Sequence, residues 1–356
     1  MAELVWKGKH SVEQRHAKEQ ETCIDSKEDT QQLCTYESFD GQPTHTLSNS
    51  PLASTQSWHN RLILGDKSAV LPALLSEFAE QVNLIYIDPP FMTGRDFKSG
   101  TRLAFSDKWG NDLDAYLQWL YETFALLKLL LALDGSLYVH LDWRVTHYAR
   151  VILDEVFGFN SSTDGPGFQN EIIWHYQSGG RSLKRYARKH DTILLYSKSV
   201  RYRFHGERIG ELRGSKKRNH MKKTVDTNGR VHWTIRSAGR LYSYDEDTPM
   251  TPPDVWNDIS HLHQKDPERN GYATQKPAAL LERIILASSE ENDLVLDCFC
   301  GSGVTPTVAE QLGRRWIACD QSELALTMTR ERLLTLNQVH PFVIQRLSTE
   351  ASEHVF

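Results

Sequence analysis

The nine residues Asn83–Phe91, which read Asn-Leu-Ile-Tyr-Ile-Asp-Pro-Pro-Phe, limit the possible folds of this chain more than any other stretch. Their short apolar run, rich in branched and aromatic side chains, predicts a buried β-strand. Because proline fixes its backbone and cannot donate to a sheet ladder, the strand must end at Asp88. The rigid corner that follows presents one carboxylate, two proline carbonyls and an aromatic ring. Ligands of open α/β sheets bind at such an edge, although an ordinary turn is an alternative interpretation of four residues.

Composition and length restrict the class of protein. A chain of 356 residues suits one large domain with an insertion, or two domains. Its hydrophobic share of 39% is typical of a globular protein, and no run reaches the roughly 18 apolar residues of a membrane span. The first residues do not resemble a secretory signal. The five cysteines lack framework or metal-site spacing, so we expect reduced thiols in a cytoplasm, with Cys298 and Cys300 as small buried side chains.

The charges are distributed very unevenly. Residues 181–240 contain 18 Lys and Arg against 4 Asp and Glu, a balance of +14. Because the whole chain has a net charge of −5, the remainder carries −19. A basic segment in an acidic protein indicates a polyanion site, and nucleic acid is the first candidate. A solvated loop without a partner is the alternative interpretation.

Strand and helix patterns alternate on both sides of this basic segment. The first predicted unit is a strand, a helix and a second strand within about 30 residues, which implies a parallel pair. The predicted strands span 62–64, 84–87, 136–141, 171–174, 192–196, 294–297 and 316–319. The predicted helices span 69–78, 114–133, 145–157, 278–288 and 304–312. The sequence therefore predicts an α/β fold with a doubly wound, mostly parallel sheet.

Five segments follow from these patterns. Residues 1–58 are predicted to be a loosely ordered polar extension with a short helix near 12–21, and residues 92–107 a mobile loop over the site. Residues 59–200 and 269–340 are predicted as the two halves of one α/β domain. Residues 201–268 are predicted as an insertion. Its aromatic rings can stack on bases or form a local core, and we expect some of them to be core. Residues 341–356 are predicted as a tail.

A second informative stretch is Asp297–Gly303, where a buried strand runs into Asp-Cys-Phe-Cys-Gly-Ser-Gly and then a helix. A glycine turn at a helix N-terminus lets backbone N–H groups approach a ligand closely. Asp320 ends the next strand about 20 residues later, where a carboxylate can accept from both ribose hydroxyls. Since Asp297 would repel a phosphate, this spacing favours a nucleoside-like ligand over a pyrophosphate.

Three motifs together resemble a known family. Asp-Pro-Pro-Phe at 88–91, Thr-Gln-Lys-Pro at 274–277 and the turn at 297–303 are similar to those of DNA amino-methyltransferases that use S-adenosylmethionine. Their order resembles the beta group, which includes many modification enzymes of restriction systems. The resemblance covers roughly residues 60–200 and 270–335. It implies a Rossmann-like methyltransferase fold with circularly permuted motif order and a target-recognition region inserted at 201–268.

The resemblance implies site-specific methylation of the N6 amino group of adenine in double-stranded DNA. An Asp in the first position of the corner is similar to adenine-modifying enzymes, whereas cytosine N4-modifying relatives more often have Ser. Asp88 and the Pro89 carbonyl would accept the two amino hydrogens, Pro90 would stiffen the corner, and Phe91 would stack on the base. The base would have to leave the duplex to reach them. Transfer would be direct, with no covalent enzyme intermediate.

The cofactor residues implied by the resemblance come from four segments. Phe299, Gly301, Ser302 and Gly303 would surround the methionine portion, and Asp297 would face its ammonium group. Asp320 would hold the ribose and Asp66 the adenine. The segment Thr274, Gln275, Lys276 would close over the methionine carboxylate.

The basic residues predicted to contact DNA are Arg181, Lys184, Arg185, Lys216, Lys217, Arg218, Lys222 and Lys223. A cognate restriction endonuclease and a homodimer are further partners that the resemblance implies. A cytosine N4-methyltransferase and a catalytically silent DNA-binding subunit are the main alternatives. A dinucleotide-dependent enzyme and an RNA substrate are less well supported, since the turn lacks a third glycine and the basic insertion suits a duplex groove.

Overall fold

The structure, a computed structural model, describes residues 3–10, 32–40, 58–110, 112–159, 165–177, 182–212 and 220–348. In the first half of the chain the elements are β1 Gln32–Phe39, β2 Asn60–Leu64, α1 Lys67–Phe78, β3 Val82–Ile87, β4 Asp96–Ser99, β5 Arg102–Ser106, α2 Leu113–Leu130, β6 Leu131–Leu141, α3 Thr146–Phe157, β7 Gly167–His175 and β8 His190–Ser197. The second half contains β9 Glu211–Leu212, β10 Lys222–Val225, β11 Val231–Ser237, β12 Arg240–Asp245, β13 Pro249–Met250, β14 Val255–Trp256, α4 Ala278–Ser288, β15 Leu294–Asp297, α5 Val304–Gln311, β16 Arg315–Asp320, α6 Glu323–Leu334 and β17 Phe342–Ser348.

One ten-stranded sheet organises the chain, in the order β1-β17-β2-β16-β15-β3-β6-β8-β7-β14. Its central strands, from β17 to β6, are all parallel to one another. On one side of this centre β8 is antiparallel to both β6 and β7, and on the other β1 is antiparallel to β17. The predicted doubly wound, mostly parallel sheet is therefore confirmed. Strand β15 lies beside β3 although it comes late in the chain. The two motifs that follow these strands are therefore neighbours in space, although they are far apart in sequence.

Both faces of the sheet are covered by helices, which explains the near-continuous apolar runs of its strands. Ile85 and Ile87 of β3 belong to the core cluster that includes side chains of α1, α2 and α3. Leu84 and Tyr86 point to the opposite face, into a cluster with side chains of α4, α5 and α6. Because successive strand residues face opposite sides, one six-residue strand supplies both cores.

The predicted helix over 114–133 is too long at its end. Helix α2 ends at Leu130, and β6 begins immediately at Leu131, five residues before the predicted strand. The apolar run there fits a helix and a buried strand equally well, and pairing with β3 decides for the strand. Gly135 lies at a register shift in this pairing, where an added Cβ would come within 2.9 Å of the Val82 carbonyl oxygen.

The predicted mobile loop over 92–107 instead contains the antiparallel hairpin of β4 and β5. The rings of Phe97 and Phe105 stack across it with centroids 4.7 Å apart. Cross-strand aromatic pairs stabilise short hairpins, and the polar composition of this segment concealed the pair. The buried carboxylate of Asp107 then ties the end of the hairpin to the residues that follow Pro90.

Both ends of the chain contribute more than predicted. Strand β17 lies within the predicted tail at 341–356, and β1 lies within the predicted loose extension. Trp6, also in that extension, is buried and donates to Gln118 of α2. Pairing partners far away in sequence order these segments, and a local pattern gives no signal of them. The helix predicted near 12–21 lies outside the described residues.

The predicted insertion at 201–268 is rich in short strands. Strands β10, β11 and β12 form a separate antiparallel sheet, and β9 pairs with β13. Trp233 is buried, so at least this ring belongs to a local core, whereas Tyr242 is exposed. Strand β14 returns the chain to the edge of the main sheet beside β7. The boundaries of this insertion and of the other segments stay predictions.

Within the described ranges, no helix is long and apolar enough to cross a membrane. Cys298, Cys300 and Cys319 are buried thiols at strand ends of the sheet, and Cys34 is an exposed thiol. Burial raises the pKa of all three buried thiols. These cysteines therefore act as small apolar side chains at physiological pH.

Candidate active site

Four adjacent parallel strands end in, or next to, an aspartate at the same edge of the sheet. Asp88 directly follows β3, Asp297 and Asp320 end β15 and β16, and Asp66 follows β2 by two residues. In the sheet, Leu296 lies opposite Ile85, and Asp320 lies opposite Leu64. The strand ends bearing Asp88 and Asp297 therefore lie side by side.

A cavity of about 370 Å³ opens at this edge, within the range of small-molecule sites. Most of the predicted catalytic and cofactor residues line it, namely Asp66, Asp88, Pro89, Pro90, Phe91, Thr274, Lys276, Asp297, Phe299, Gly301, Ser302 and Asp320. Two predicted residues do not. Gly303 is the N-cap of α5 and packs against Thr329. Gln275 faces its own loop, where its amide accepts from Asn270 N–H and donates to the Glu268 carbonyl. The contribution of Gln275 is thus to hold the loop in shape.

Among the described residues, one oxygen of the Asp88 carboxylate has a hydrogen-bond partner and the other has none. Its Oδ2 accepts from the Lys276 ammonium group, whereas its buried Oδ1 has no hydrogen-bond partner among the described residues. The side chain of Asp88 is only 18% exposed. Burying a carboxylate oxygen without a hydrogen-bond donor costs free energy, so a ligand that donates to Asp88 Oδ1 would remove this cost. In the structure Lys276 contacts Asp88 of the corner, whereas the resemblance implied that Lys276 contacts the methionine carboxylate.

Hydrogen bonds fix the backbone on the far side of the corner. Asp107, 1% exposed, accepts from the backbone N–H groups of Phe91, Met92 and Thr93 at 3.2, 2.9 and 2.8 Å. Met92 has φ +58°, a left-handed conformation that costs about 1–2 kcal/mol for a residue with a Cβ. Tyr116 donates its hydroxyl to the Pro90 carbonyl at 2.7 Å. Of the two proline carbonyls, that of Pro89 is therefore the one left for a ligand.

The Phe91 ring rests on a buried polar chain. It stacks on His140 with a centroid distance of 6.2 Å and an interplanar angle of 16°. His140 Nδ1 lies 3.0 Å from the Tyr86 hydroxyl, and its Nε2 lies 3.2 Å from Asp191 Oδ2. Burial opposes ionisation of Asp191, but hydrogen bonds from His140 and Tyr176 prevail and lower its pKa. This chain holds the imidazole, and with it Phe91, in one orientation.

The residues that follow β15 form a tight turn, and most of their backbone N–H groups donate to acceptors within the protein. Gly301 and Gly303 have φ +46° and +75°, conformations that L-residues rarely adopt. A Cβ on Gly303 would come within 2.7 Å of the Thr329 backbone, so only glycine fits there. Asp320 Oδ2 accepts from Gly301 N–H at 3.0 Å, which ties this turn to the next strand end. Asp320 Oδ1 accepts from Ser322 N–H at 2.9 Å.

Burial raises the pKa of two of the four carboxyl groups. Burial raises the pKa of Asp297 to about 7, and the negative charge of Asp88 also raises it. Hydrogen bonds from Thr305 and from Phe299 N–H lower this pKa but do not offset burial. Burial also raises the pKa of Asp320 to about 6, although backbone N–H groups stabilise its charge. Within the described residues, Asp297 forms no ion pair. A cation placed beside Asp297 would restore its ionisation.

These donors and acceptors fit S-adenosylmethionine. Its ammonium group matches the unpaired carboxylate of Asp297, and its ribose hydroxyls match Asp320. Asp66 lines the cavity, but its Oδ1 already accepts from Ser68 N–H as the N-cap of α1, so one oxygen stays available for an adenine. The buried carboxylates would repel a pyrophosphate, which disfavours a dinucleotide.

Several residues that line the cavity are not among the site residues predicted from the sequence. The Trp119 ring packs 5.5 Å from Phe299, and the buried Lys67 ammonium lies 4.6 Å above Trp119. Tyr272 covers the glycine turn, 3.0 Å from where a Gly301 Cβ would be. Helical spacing marks Trp119 only as a core residue. Lys67 had a usable signal, since it directly follows Gly65-Asp66 at a strand end.

Four of the eight predicted DNA-contacting residues lie in the described part of the chain, in two different segments. Lys184 and Arg185 lie in the connection between β7 and β8, and Lys222 and Lys223 lie on β10 of the separate sheet. Lys223 is placed over the Trp233 ring at 5.7 Å. Arg181, Lys216, Lys217 and Arg218 lie outside the described residues. The DNA-contacting role of all eight stays a prediction.

Comparisons with known proteins agree with this geometry. A family model described as DNA methylase, for N6 and N4 methyltransferases, matches residues 82–331. The chain is 30% identical to the type II methyltransferase M.HpaI of Haemophilus parainfluenzae, over 75% of this chain and 72% of that protein. It is 29% identical to the DNA adenine methyltransferase YhdJ of Escherichia coli K12, over 76% and 82%. The solved structure of the cytosine-N4-specific PvuII DNA methyltransferase covers 78% of this chain and is covered to 88%, with a TM-score of 0.51 at 20% identity.

The raised pKa of Asp297 predicts a pH-dependent gain in stability on substitution. An aspartate has a pKa of about 3.9 when unfolded, so the folded protein binds more protons between about pH 4 and 7 and loses stability as the pH rises through that window. In Asp297→Asn this loss is absent. We expect its melting temperature to exceed that of the wild type by about 2 °C or more at pH 8 and by less at pH 5.

Differential scanning fluorimetry between pH 5 and 8 measures this difference, with Asp254→Asn, an exposed carboxyl group, as the control. A melting-temperature difference for Asp297→Asn that is the same at pH 5 and pH 8 would contradict the assignment.

Proposed function

We propose that this chain, which belongs to the family of N6 and N4 DNA methylases, methylates the N6 amino group of adenine in a specific double-stranded DNA sequence. Membership makes it an S-adenosylmethionine-dependent DNA methyltransferase. The choice of adenine and the residue roles given below are our proposal. The observation that carries it is the buried, unpartnered Oδ1 of Asp88 in a cavity that also contains Phe91.

An amino group conjugated into a base is a poor nucleophile. Asp88 Oδ1 would accept one amino hydrogen and the Pro89 carbonyl the other, which pulls the nitrogen towards tetrahedral geometry and exposes its lone pair. Lys276 occupies Oδ2 of Asp88, so the second carboxylate oxygen is directed to the base. Phe91, seated on His140, would stack on the base. S-adenosylmethionine supplies an electrophilic methyl group when it is bound.

The cofactor would be held by the adjacent strand ends. Asp297 would bind its ammonium group, Asp320 its ribose and Asp66 its adenine, with Phe299, Gly301 and Ser302 around the methionine portion. Thr274 would contact the methionine carboxylate, and Lys67 and Trp119 would complete the wall. Holding both reactants at one sheet edge converts a bimolecular reaction into a positioned one, which supplies much of the rate.

Adenine is favoured over cytosine by two observations. The corner begins with Asp88, as in the adenine-modifying enzymes that it resembles. One relative with 29% identity is named a DNA adenine methyltransferase. The cytosine-N4-specific PvuII enzyme supports only a shared fold at 20% identity. The type II names among the relatives support a modification role beside a restriction endonuclease, while that partner and a homodimer stay predictions.

The base specificity is tested by product analysis. Purified protein is incubated with methyl-labelled S-adenosylmethionine and, in parallel samples, unmethylated duplex DNA or RNA, and the nucleic acid is digested to nucleosides. We expect label in N6-methyladenine, and sequencing of modified bases in an expressing host would locate the site. Label only in N4-methylcytosine would refute adenine specificity, and label only in an RNA sample would refute the DNA substrate. A melting-temperature increase with NAD instead of S-adenosylmethionine would favour a dinucleotide-dependent enzyme.

Substitution of Asp88 separates catalysis from cofactor binding. Asp88→Ala and the isosteric Asp88→Asn remove the charged acceptor, so we expect kcat to fall by at least about a hundredfold. The Kd for S-adenosylmethionine, measured by calorimetry, should stay within about threefold of wild type, since the cofactor contacts other strand ends. Equal losses in kcat and in cofactor affinity would argue against the proposed role.

Asp107 is expected to be a positioning residue for the corner. In Asp107→Asn an amide NH₂ replaces one of the two accepting oxygens and opposes the backbone N–H groups that follow Pro90. We expect kcat to decrease by about tenfold to a hundredfold with little change in cofactor Kd. Asp96→Asn on the same hairpin is the control, since Asp96 bonds Ser106 and Lys108 and not the corner. Wild-type kcat in Asp107→Asn would show that the clamp is dispensable.

A further inference from the structure

The connection between β7 and β8 leaves the sheet at the edge that carries the cavity. In the antiparallel pair of β6 and β8, Leu141 lies opposite Thr192, and His175 of β7 lies opposite His190. Strand β6 is parallel to β3, with Val139 opposite Ile87. The connection between His175 and His190 therefore starts and ends beside the catalytic corner, two to three strand spacings away, which is about 10–15 Å.

Two large apolar side chains in this connection extend fully into solvent. Leu183 is 101% exposed and Tyr186 is 97% exposed. All other exposed large apolar residues in the described part of the chain are 76% exposed or less. Single exposed apolar residues are common in proteins, but two of them three residues apart, in a connection that leaves the sheet at the edge of the active site, indicate a contact with a partner.

The charges around these side chains specify the partner. Lys184, Arg185, Arg188 and Lys189 belong to the same short stretch. The Arg188 guanidinium stacks on the Trp143 ring at 3.3 Å, and Arg144 lies over the same ring at 4.8 Å. Loss of hydration and repulsion by Arg185 and Arg144 lower the pKa of Arg188. Asp142 pairs with Arg144 and offsets part of this repulsion, and the remaining cations attract a polyanion.

Methylation of a paired base requires a part of the protein that helps the base to leave the duplex. The side chains of Asp88 and Lys276 are only 18% and 12% exposed, so an adenine must leave the stack to reach them. Extrusion leaves a gap opposite the orphaned partner base. Proteins that distort DNA insert apolar side chains into steps of the duplex and hold the adjoining phosphates with Lys and Arg.

We propose that Leu183 and Tyr186 enter the duplex and fill the gap left by the extruded adenine, while Lys184, Arg185 and Arg188 bind the adjoining phosphates. This inference rests on the proposed function. It assigns the β7–β8 connection to extrusion of the base, and leaves the separate sheet of β10, β11 and β12 free for other contacts.

The test compares two duplexes that contain the located target site. In one the target adenine is paired with thymine, and in the other it faces an abasic position, where extrusion costs less. The variants are Tyr186→Ala, the double variant Leu183→Ala/Tyr186→Ala, and Tyr186→Phe, which keeps the ring. Phe159→Ala is the matched control, since Phe159 is 59% exposed and follows α3 at the opposite edge of the sheet.

On the paired duplex, kcat/KM of the double variant should fall by about tenfold or more, with Tyr186→Ala intermediate. On the abasic duplex the double variant should come within about threefold of wild type, because little extrusion cost is left. Tyr186→Phe and Phe159→Ala should match wild type on both. Because both loop side chains are fully exposed, melting temperatures should not change.

An equal loss on both duplexes would overturn the inference, since residues that stack on the extruded base itself would behave in that way. Unchanged kcat/KM of the double variant on the paired duplex would also overturn it, with the proposed function intact. Absence of methyl transfer by the wild type to any duplex would instead refute the proposed function, and this inference with it.

Discussion

The structure depends on one electrostatic constraint, the convergence of four carboxylates at the ends of four adjacent parallel strands. Within the described residues, only Asp88 has a cation in contact, from Lys276. Burial raises the pKa of Asp297 to about 7 and that of Asp320 to about 6, because little water reaches the cavity to stabilise their charges. The cavity is therefore electrostatically incomplete, and a ligand with a cation and several hydrogen-bond donors completes it. S-adenosylmethionine and an exocyclic amino group together have these properties.

Rigidity of the corner is the second requirement, and it is built from residues far apart in sequence. Asp107 fixes the backbone after Pro90, and Tyr116 occupies the Pro90 carbonyl. His140, held by Tyr86 and Asp191, supports the Phe91 ring from below. An acceptor that is already in place does not have to be ordered during the reaction, so these contacts favour catalysis.

The sequence predicted the features that depend on local pattern and short motifs. The strand ending at Asp88, the turn at 297–303 and the parallel sheet were all anticipated, because buried strands and glycine turns have direct sequence signals. Features that depend on distant partners were not. Strand β17 needs β1 and β2 beside it, the Phe97–Phe105 hairpin closes on the corner through Asp107, and Lys276 pairs with a residue 188 positions earlier. Such contacts exist only after the sheet has formed.

We propose that Asp297 is desolvated and partly protonated in the free protein and ionises when it binds the ammonium group of the cofactor. The most direct measurement is the Kd for S-adenosylmethionine by calorimetry between pH 5 and 8, for the wild type and Asp297→Asn. Wild-type affinity should increase with pH up to about 7, where the carboxyl group ionises, and should not increase further towards pH 8, where an α-ammonium group begins to lose its proton. Asp297→Asn should bind more weakly and keep only the smaller increase near pH 6 that ionisation of Asp320 contributes. The same pH dependence in both proteins, or wild-type affinity independent of pH over this range, would contradict the claim.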